Sequence, residues 1–155
     1  MPELLLLNIA PNDVVVGISA SGTAFYVLSG LKFAHQRNAF TVLIQHDTPQ
    51  ARPAYCNEII PLLSNAEVVA GSTRMKAGTA TKKILNYITT TAMILCGRVH
   101  GSYMTNLKCL NQKLVLRAKS ILQLLYQLSE EESAQLLQDC NYDLAKACNR
   151  AKALA

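Results

Sequence analysis

Val14-Val15-Val16-Gly17-Ile18-Ser19-Ala20-Ser21-Gly22-Thr23 reads as a strand that runs into a hydroxyl-rich turn opening a helix. Three valines and an isoleucine form a nearly continuous β-branched run. That is the pattern of a strand buried on both faces of a parallel sheet. Upstream, Leu4 to Ile9 resembles the last turns of a helix, and Pro11-Asn12-Asp13 a turn. Downstream, a helix fits Ala24 to His35, with Ala24, Val27, Leu28 and Leu31 on one side. Phe40 to Ile44 is a second strand of the buried type, broken by His46-Asp47-Thr48-Pro49. A short helical or irregular stretch over 50–56 leads to a third strand, Glu58 to Leu62, and Ala66 to Ala70 reads as a fourth, very short extended piece. Alternating strands and helices imply right-handed βαβ crossovers and an α/β layered domain.

The pattern changes after residue 71. Ala77, Ala80, Ile84, Ile88, Ala92 and Leu95 recur every three or four residues and mark one apolar helix stripe. Gly97 ends that helix. A further long helix is predicted from about Ser102 to Leu128, where Leu107, Leu114, Ile121 and Leu128 are seven apart and Asn111, Ala118 and Leu125 fill the alternate inward positions. So narrow a seam suits packing on another helix, of this chain or of a second subunit. Asn111 within it would fix register, reach a ligand or simply sit at the helix edge. Ser129-Glu130-Glu131-Glu132 is a capping box for the next helix, and Asn141 or Asp143 starts the last one. The organisation is an α/β domain over 1–100 and a helical segment over 101–155.

The 155 residues suffice for a real core, and an apolar half with only 16% charged residues is a globular composition. The net charge of +5 comes from scattered cations, without a basic cluster or any Trp to interleave, so a nucleic-acid partner is not expected. Cysteines at 56, 96, 109, 140 and 148 form no CxxC, and the three histidines are distant from them in sequence. Free, mostly buried thiols in a reducing cytoplasm are expected, with no metal. The N-terminal MPELLLLNIAPND lacks the charge and cleavage site of a signal peptide, and no run reaches membrane-spanning length.

Two loops carry the chemistry. Ser19, Ser21, Gly22 and Thr23 follow a strand, where ligands of open α/β sheets sit. Gly22 lets the backbone approach an oxygen closely, and the hydroxyls donate without bulk. An ordinary hydroxyl helix cap would look the same. Gly71-Ser72-Thr73-Arg74-Met75-Lys76-Ala77-Gly78-Thr79 is more specific. Ser72 and Thr73 offer hydroxyls, Arg74 can grip two oxygens at once, and Lys76 adds a point charge. Cations at a helix N-terminus oppose its dipole unless an anion lies between them, which points to a phosphate. Glu58 and Glu67 could face the same crevice or serve as caps. His46, after a strand, fits a surface loop better than the crevice, and His100 and Tyr103 fit packing at a helix junction. No Ser-His-Asp set, Cys-His pair or metal-ligand cluster can be assembled, so no catalytic residue is assigned.

At these residues the chain resembles a known family. Ala66-Glu67-Val68-Val69-Ala70-Gly71-Ser72-Thr73-Arg74-Met75-Lys76-Ala77-Gly78-Thr79-Ala80, then Lys82, Leu85-Asn86 and Thr89-Thr90, resemble the signature of the N-acetylmuramic acid 6-phosphate etherases. Asn12 to Gly22 is similar to the family's second sugar-binding strand and loop, and Asn111-Gln112-Lys113-Leu114 with Arg117-Ala118 to the next helix. Glu132 to Ala147 is similar to the closing helical module. The signature also occurs in glucokinase regulatory protein, and both have the sugar isomerase (SIS) fold.

The resemblance implies a partial SIS domain: a parallel sheet flanked by helices, followed by C-terminal helices, that binds a phosphorylated amino sugar at its loop ends. At family level it implies elimination of D-lactate from N-acetylmuramic acid 6-phosphate by two glutamates, without metal or cofactor, in a dimer. Family members are about twice as long, so the expected partial domain lacks the N-terminal half with both catalytic glutamates. The partner expected is then a second copy of the chain or a complementing N-terminal chain. Thr23-Ala24-Phe25 stands where the family has Arg-Thr-Pro, and Thr81 where it has Gln. The C-terminal region is expected to be shorter by a helical pair. Three readings stay open: an etherase completed by a partner, a phosphosugar-binding regulatory module without turnover, and a truncated remnant.

Overall fold

The structure, a computed structural model, describes residues 2–46 and 52–154. A short helix, α1 (Pro2–Leu5), precedes strand β1 (Val14–Ile18). β1, β2 (Phe40–His46) and β3 (Glu58–Leu62) form a parallel sheet in that order, with β2 in the centre. Ile18 lies opposite Ile44, and His46 opposite Leu62. β1 and β3 have the bounds their sequence pattern predicts. β2 runs two residues further, through Gln45 and His46, because both side chains are buried and the His46 N–H donates to the Ala20 carbonyl at 3.0 Å. The break assigned to Asp47-Thr48-Pro49 lies outside the described residues.

Helix α2 (Phe25–His35) links β1 to β2 and packs on both. The expected stripe holds for Val27, Leu28 and Leu31, which cluster with Val15, Leu43, Cys56, Tyr55 and Ile59. Leu31 and Leu43 are each 1% exposed, and burying two such side chains contributes about 1.5–3 kcal/mol apiece. Ala24 departs from the stripe: it is the N-cap residue and is exposed. Between β2 and β3, residues 52–57 are irregular and are held by side chains instead of a helix. Buried Thr41 donates its hydroxyl to the Tyr55 carbonyl at 2.8 Å, and its N–H reaches Asn57 Oδ1 at 2.8 Å.

β1 is not buried on both faces. Gly17 faces α2, where an added Cβ would press on Val27 and Leu31, whereas Val14, Val16 and Ile18 remain exposed. A continuous apolar run is covered twice only where both faces have neighbours, and β1 is an edge strand with α2 on one side. Residues 66–70 form turns instead of a strand. Helix α3 (Lys76–Leu95) follows, ended as expected around Gly97 (φ +67°), whose N–H bonds the Ile94 carbonyl while Arg98 N–H bonds that of Met93. Its predicted stripe is covered only at the start. Ala77 is buried and Ala80 and Ile84 are half-buried, but Ile88, Ala92 and Leu95 face solvent.

The chain divides into two compact units, the first ending at Tyr87 and the second beginning at Ile88. In the second, β4 (Val99–His100) and β5 (Tyr103–Met104) pair antiparallel, and α4 (Gln112–Tyr126), α5 (Glu130–Asp139) and α6 (Leu144–Leu154) follow. The long helix expected over 102–128 is therefore shorter. Leu107 and Cys109 spend their backbone groups on the α5–α6 turn: Leu144 N–H donates to the Leu107 carbonyl and Cys109 N–H to that of Tyr142, both at 2.9 Å. Asn111 is the N-cap of α4, accepting from Leu114 N–H at 3.0 Å, which puts it at the helix edge and not within a seam. Ala118, Ile121 and Leu122 pack within this chain, against Leu136, Leu137, Leu144 and Ala147. The capping box is present, with Glu132 N–H on Ser129 Oγ at 3.1 Å and Ser129 N–H on Glu132 Oε2 at 2.7 Å. Asp143 caps α6, accepting from Lys146 N–H. All five cysteines are free thiols; Cys56, Cys140 and Cys148 are buried, Cys96 exposed.

Candidate functional site

The carboxyl end of β1 delivers the chain into a tightly bonded loop. Ser19 is buried; its N–H donates to the Ile44 carbonyl at 3.0 Å and its Oγ accepts from Ala24 N–H at 3.3 Å. Gly22 N–H closes the turn on the Ser19 carbonyl at 3.0 Å. Gly22 has φ +70°, which favours glycine, and a Cβ there would push the Gln45 amide aside. Ser21 and Thr23 are exposed and share a hydrogen bond of 2.8 Å between their hydroxyls. Beyond them α2 starts with Ala24 as N-cap, without a side-chain cap or an acidic residue in its first turn. Among the described residues the N–H groups of that turn have no partner, and with the helix dipole and two exposed hydroxyls they form a mouth suited to an anion.

The second loop is arranged differently. Glu67 accepts from Lys76 N–H through Oε2 and from Ala77 N–H through Oε1, each at 3.0 Å. A carboxylate of the chain itself thus sits on the N-terminus of α3, in the place where the cationic sequence called for an anion. These two bonds, Ala77's first, pull the Glu67 carboxyl below the usual carboxylate range, with the charge of Lys76 assisting. Lys76 Nζ donates to the Ala66 carbonyl at 2.7 Å. Ser72 is half-buried, Thr73 and Arg74 are exposed, and Arg74 makes no hydrogen bond or ion pair among the described residues. Beside this loop a groove of about 490 Å³ runs between Leu63, Ser64, Met75, Thr79, Ala80 and the two lysines Lys76 and Lys83.

His46 joins the two loops. It is the last residue of β2 and only 5% exposed, not a surface-loop histidine. Its backbone bonds Ala20 in the first loop, and its Nε2 lies 2.9 Å from Thr81 Oγ1, one turn beyond the Glu67-capped start of α3. The sequence puts it in the His46-Asp47-Thr48-Pro49 break after the strand; the signal that it is buried lies in Thr81, 35 positions away. Glu58 and Glu67 do not share a crevice. Glu58 opens β3 opposite Val42, at the amino end of the sheet, four pairs from His46. His100 stacks loosely on Tyr126, with ring centroids 6.4 Å apart, and Tyr103 packs on the helical core of the second unit. A hollow of about 410 Å³ in that unit includes Cys109, but burial pushes that thiol upward and makes it a poor nucleophile. Among the described residues no group of three or more His, Cys, Asp or Glu side chains could hold a metal ion, and no helix is long and apolar enough to cross a membrane.

Three curated proteins align with nearly the whole chain. One from Rhodopirellula baltica is 42% identical over 146 residues, 94% of this chain and 48% of its own length. One from Clostridium beijerinckii is 41% identical over 147 residues, with the same two shares, and one from Clostridium botulinum strain Langeland is 38% identical over 142 residues, 92% and 47%. All three are named N-acetylmuramic acid 6-phosphate etherase. The chain is similar to the etherases. The likeness seen in the glycine- and hydroxyl-rich signature thus extends from Ser19–Thr23 to the closing helices, and the chain spans about half the length of the etherases it matches. No protein-family model matches it.

Proposed function

We propose that the first unit binds a phosphorylated amino sugar at the carboxyl end of its sheet, as part of an etherase-type SIS site that eliminates D-lactate from N-acetylmuramic acid 6-phosphate in the cytoplasm. The observation that carries this is the uncapped N-terminus of α2, with Ser21 and Thr23 exposed beside it and Ser19 and Gly22 shaping the turn. The phosphate belongs there, since Glu67 already fills the N-terminus of α3. Arg74, exposed and unengaged, then serves as a second, guanidinium contact to the ligand, while Ser72, Thr73 and Lys76 shape its loop. In the elimination a base removes the proton beside the aldehyde carbon, the lactyl ether leaves, and water adds to the unsaturated sugar.

Proton transfer is not assigned to this chain. Glu67 is held as a carboxylate by two backbone donors, which makes it a weak base, and Glu58 stands at the wrong end of the sheet. The glutamates come from a complementing chain, and the free edge of β1 beside exposed Val14, Val16 and Ile18 offers it a strand to pair with. Lactate release from N-acetylmuramic acid 6-phosphate, assayed with and without a chain equivalent to the other half of an etherase, tests this reading. Release only in the mixture supports it. Binding without release under either condition leaves a phosphosugar-binding regulatory module. Calorimetry with N-acetylglucosamine 6-phosphate tests the binding itself; Arg74→Ala should weaken it about tenfold, the loss of one charge-assisted contact.

A further inference from the structure

Gln45 carries an amide for which the fold has no use. The residue is only 4% exposed, and its side chain makes no hydrogen bond among the described residues. Most polar side chains at that depth are paired. The period of two along β2 puts Gln45 on the same face as Leu43, the face that clusters with Leu28 and Leu31 of α2. β1 ends one pair earlier, with Ile18 opposite Ile44, so the Gln45 side chain extends past the end of that strand and its Oε1 lies against Gly22. There it lines a cavity of about 100 Å³. Two of the other walls, Gly22 and Thr23, belong to the hydroxyl mouth, and four, Leu28, Leu43, Pro53 and Ile59, are apolar. We propose that this cavity takes the acetamido group of the amino sugar whose phosphate sits at the Ser19–Thr23 mouth, with the Gln45 amide hydrogen-bonded to it. This rests on the phosphosugar reading above.

The lining selects the group. No cation borders the cavity, so a phosphate or carboxylate would be stripped of water there without compensation. A bare hydroxyl could meet the amide but would leave the apolar walls unfilled. An acetamido group brings both halves: its N–H can donate to Gln45 Oε1 or its carbonyl accept from Gln45 Nε2, while its methyl packs on Leu28, Leu43 and Ile59. About 100 Å³ is roughly the room that three waters take in the liquid, enough for an acetamido group and too little for the sugar ring. Exposed Thr23 borders both the mouth and the cavity, so one small ligand spans the two.

Glucose 6-phosphate lacks the acetamido group and is the comparison ligand. By calorimetry the unaltered chain should bind N-acetylglucosamine 6-phosphate about tenfold more tightly than glucose 6-phosphate, the gain from one hydrogen bond and a buried methyl. Gln45→Leu keeps the bulk and removes the amide. It should hold or raise the melting temperature, because an unpaired buried amide gives way to an apolar group, and it should bind the two sugar phosphates about equally. Weaker binding of both with the preference intact would show that Gln45 only shapes the Gly22 turn, and would overturn the assignment. In the unaltered chain, saturation transferred from protein to bound N-acetylglucosamine 6-phosphate should reach the acetyl methyl protons more strongly than the ring protons. That measurement decides the matter even if Gln45→Leu fails to fold. If both sugar phosphates bind with equal affinity, or the methyl receives less saturation than the ring, the acetamido group lies elsewhere and the phosphosugar reading survives. If neither gives heat, that reading fails and the pocket assignment falls with it.

Discussion

At the scale of single residues, Glu67 changes the meaning of the signature loop. The sequence shows Arg74 and Lys76 at a helix start and asks for an anion; the structure answers with a carboxylate nine residues upstream of Lys76. Its lowered pKa has a definite consequence for stability. A carboxyl group depressed on folding stabilises the fold above its unfolded value, about 4, and that contribution is lost as pH falls through the folded value. Glu67→Gln should thus be less stable than the unaltered chain in urea unfolding at pH 7, and the gap should close in acid, where both side chains are neutral. A gap of equal size at both pH values would show that Glu67 acts by shape alone. Gly22 supplies the contrasting case, legible in advance because a left-handed turn glycine is a local feature. Gly22→Ala must adopt φ near +70° and displace Gln45, and should cost about 1–3 kcal/mol in the same measurement. His46 was not legible, since its burial depends on Thr81 and no short-range pattern connects them.

Among the elements, those set by local chemistry were readable and those set by long spacing were not. β1 and β3, the capping box at Ser129 and the glycine end of α3 all follow from neighbours within a few residues. The heptad positions Leu107, Leu114, Ile121 and Leu128 suggested one helix, yet only Leu114 and Ile121 are helical. Leu107 and Leu128 pack on the same core from the flanking segments, so apolar spacing alone could not tell a helix turn from a chain entering and leaving one. The better signal was Asn111, which caps α4 and so marks where the helix begins. Capping also gives α5 a measurable share of its stability. Ser129→Ala removes the acceptor for Glu132 N–H and should destabilise the second unit by about 1 kcal/mol in urea unfolding, whereas Ser129→Asn, which still caps, should cost less. Equal losses for both would mean that the hydroxyl is not acting as a cap.

On the scale of the molecule, the parallel order of the sheet was legible from the strand–helix–strand alternation, but the exposure of one face of β1 was not. A run of valines states that a strand can be buried twice; what lies beside it is a property of the neighbours, and here one face and one edge are open. The division of labour between the two units is open to a direct test. Every residue assigned to the ligand lies before Tyr87, while the largest cluster of buried apolar residues, centred on Leu122, Leu137 and Leu144, lies after Ile88. Leu122 is fully buried, so Leu122→Ala leaves a cavity and should cost the second unit about 2–5 kcal/mol. If the first unit binds the sugar phosphate with its own residues, this variant, kept below its lowered melting temperature, should give the same calorimetric heat and affinity with N-acetylglucosamine 6-phosphate as the unaltered chain. Gly22→Ala should do the reverse, weakening the affinity while the second unit melts unchanged. Loss of binding in Leu122→Ala while that unit remains folded would mean that the helical module holds the ligand loops in place, and the site could no longer be ascribed to the sheet and its two loops alone.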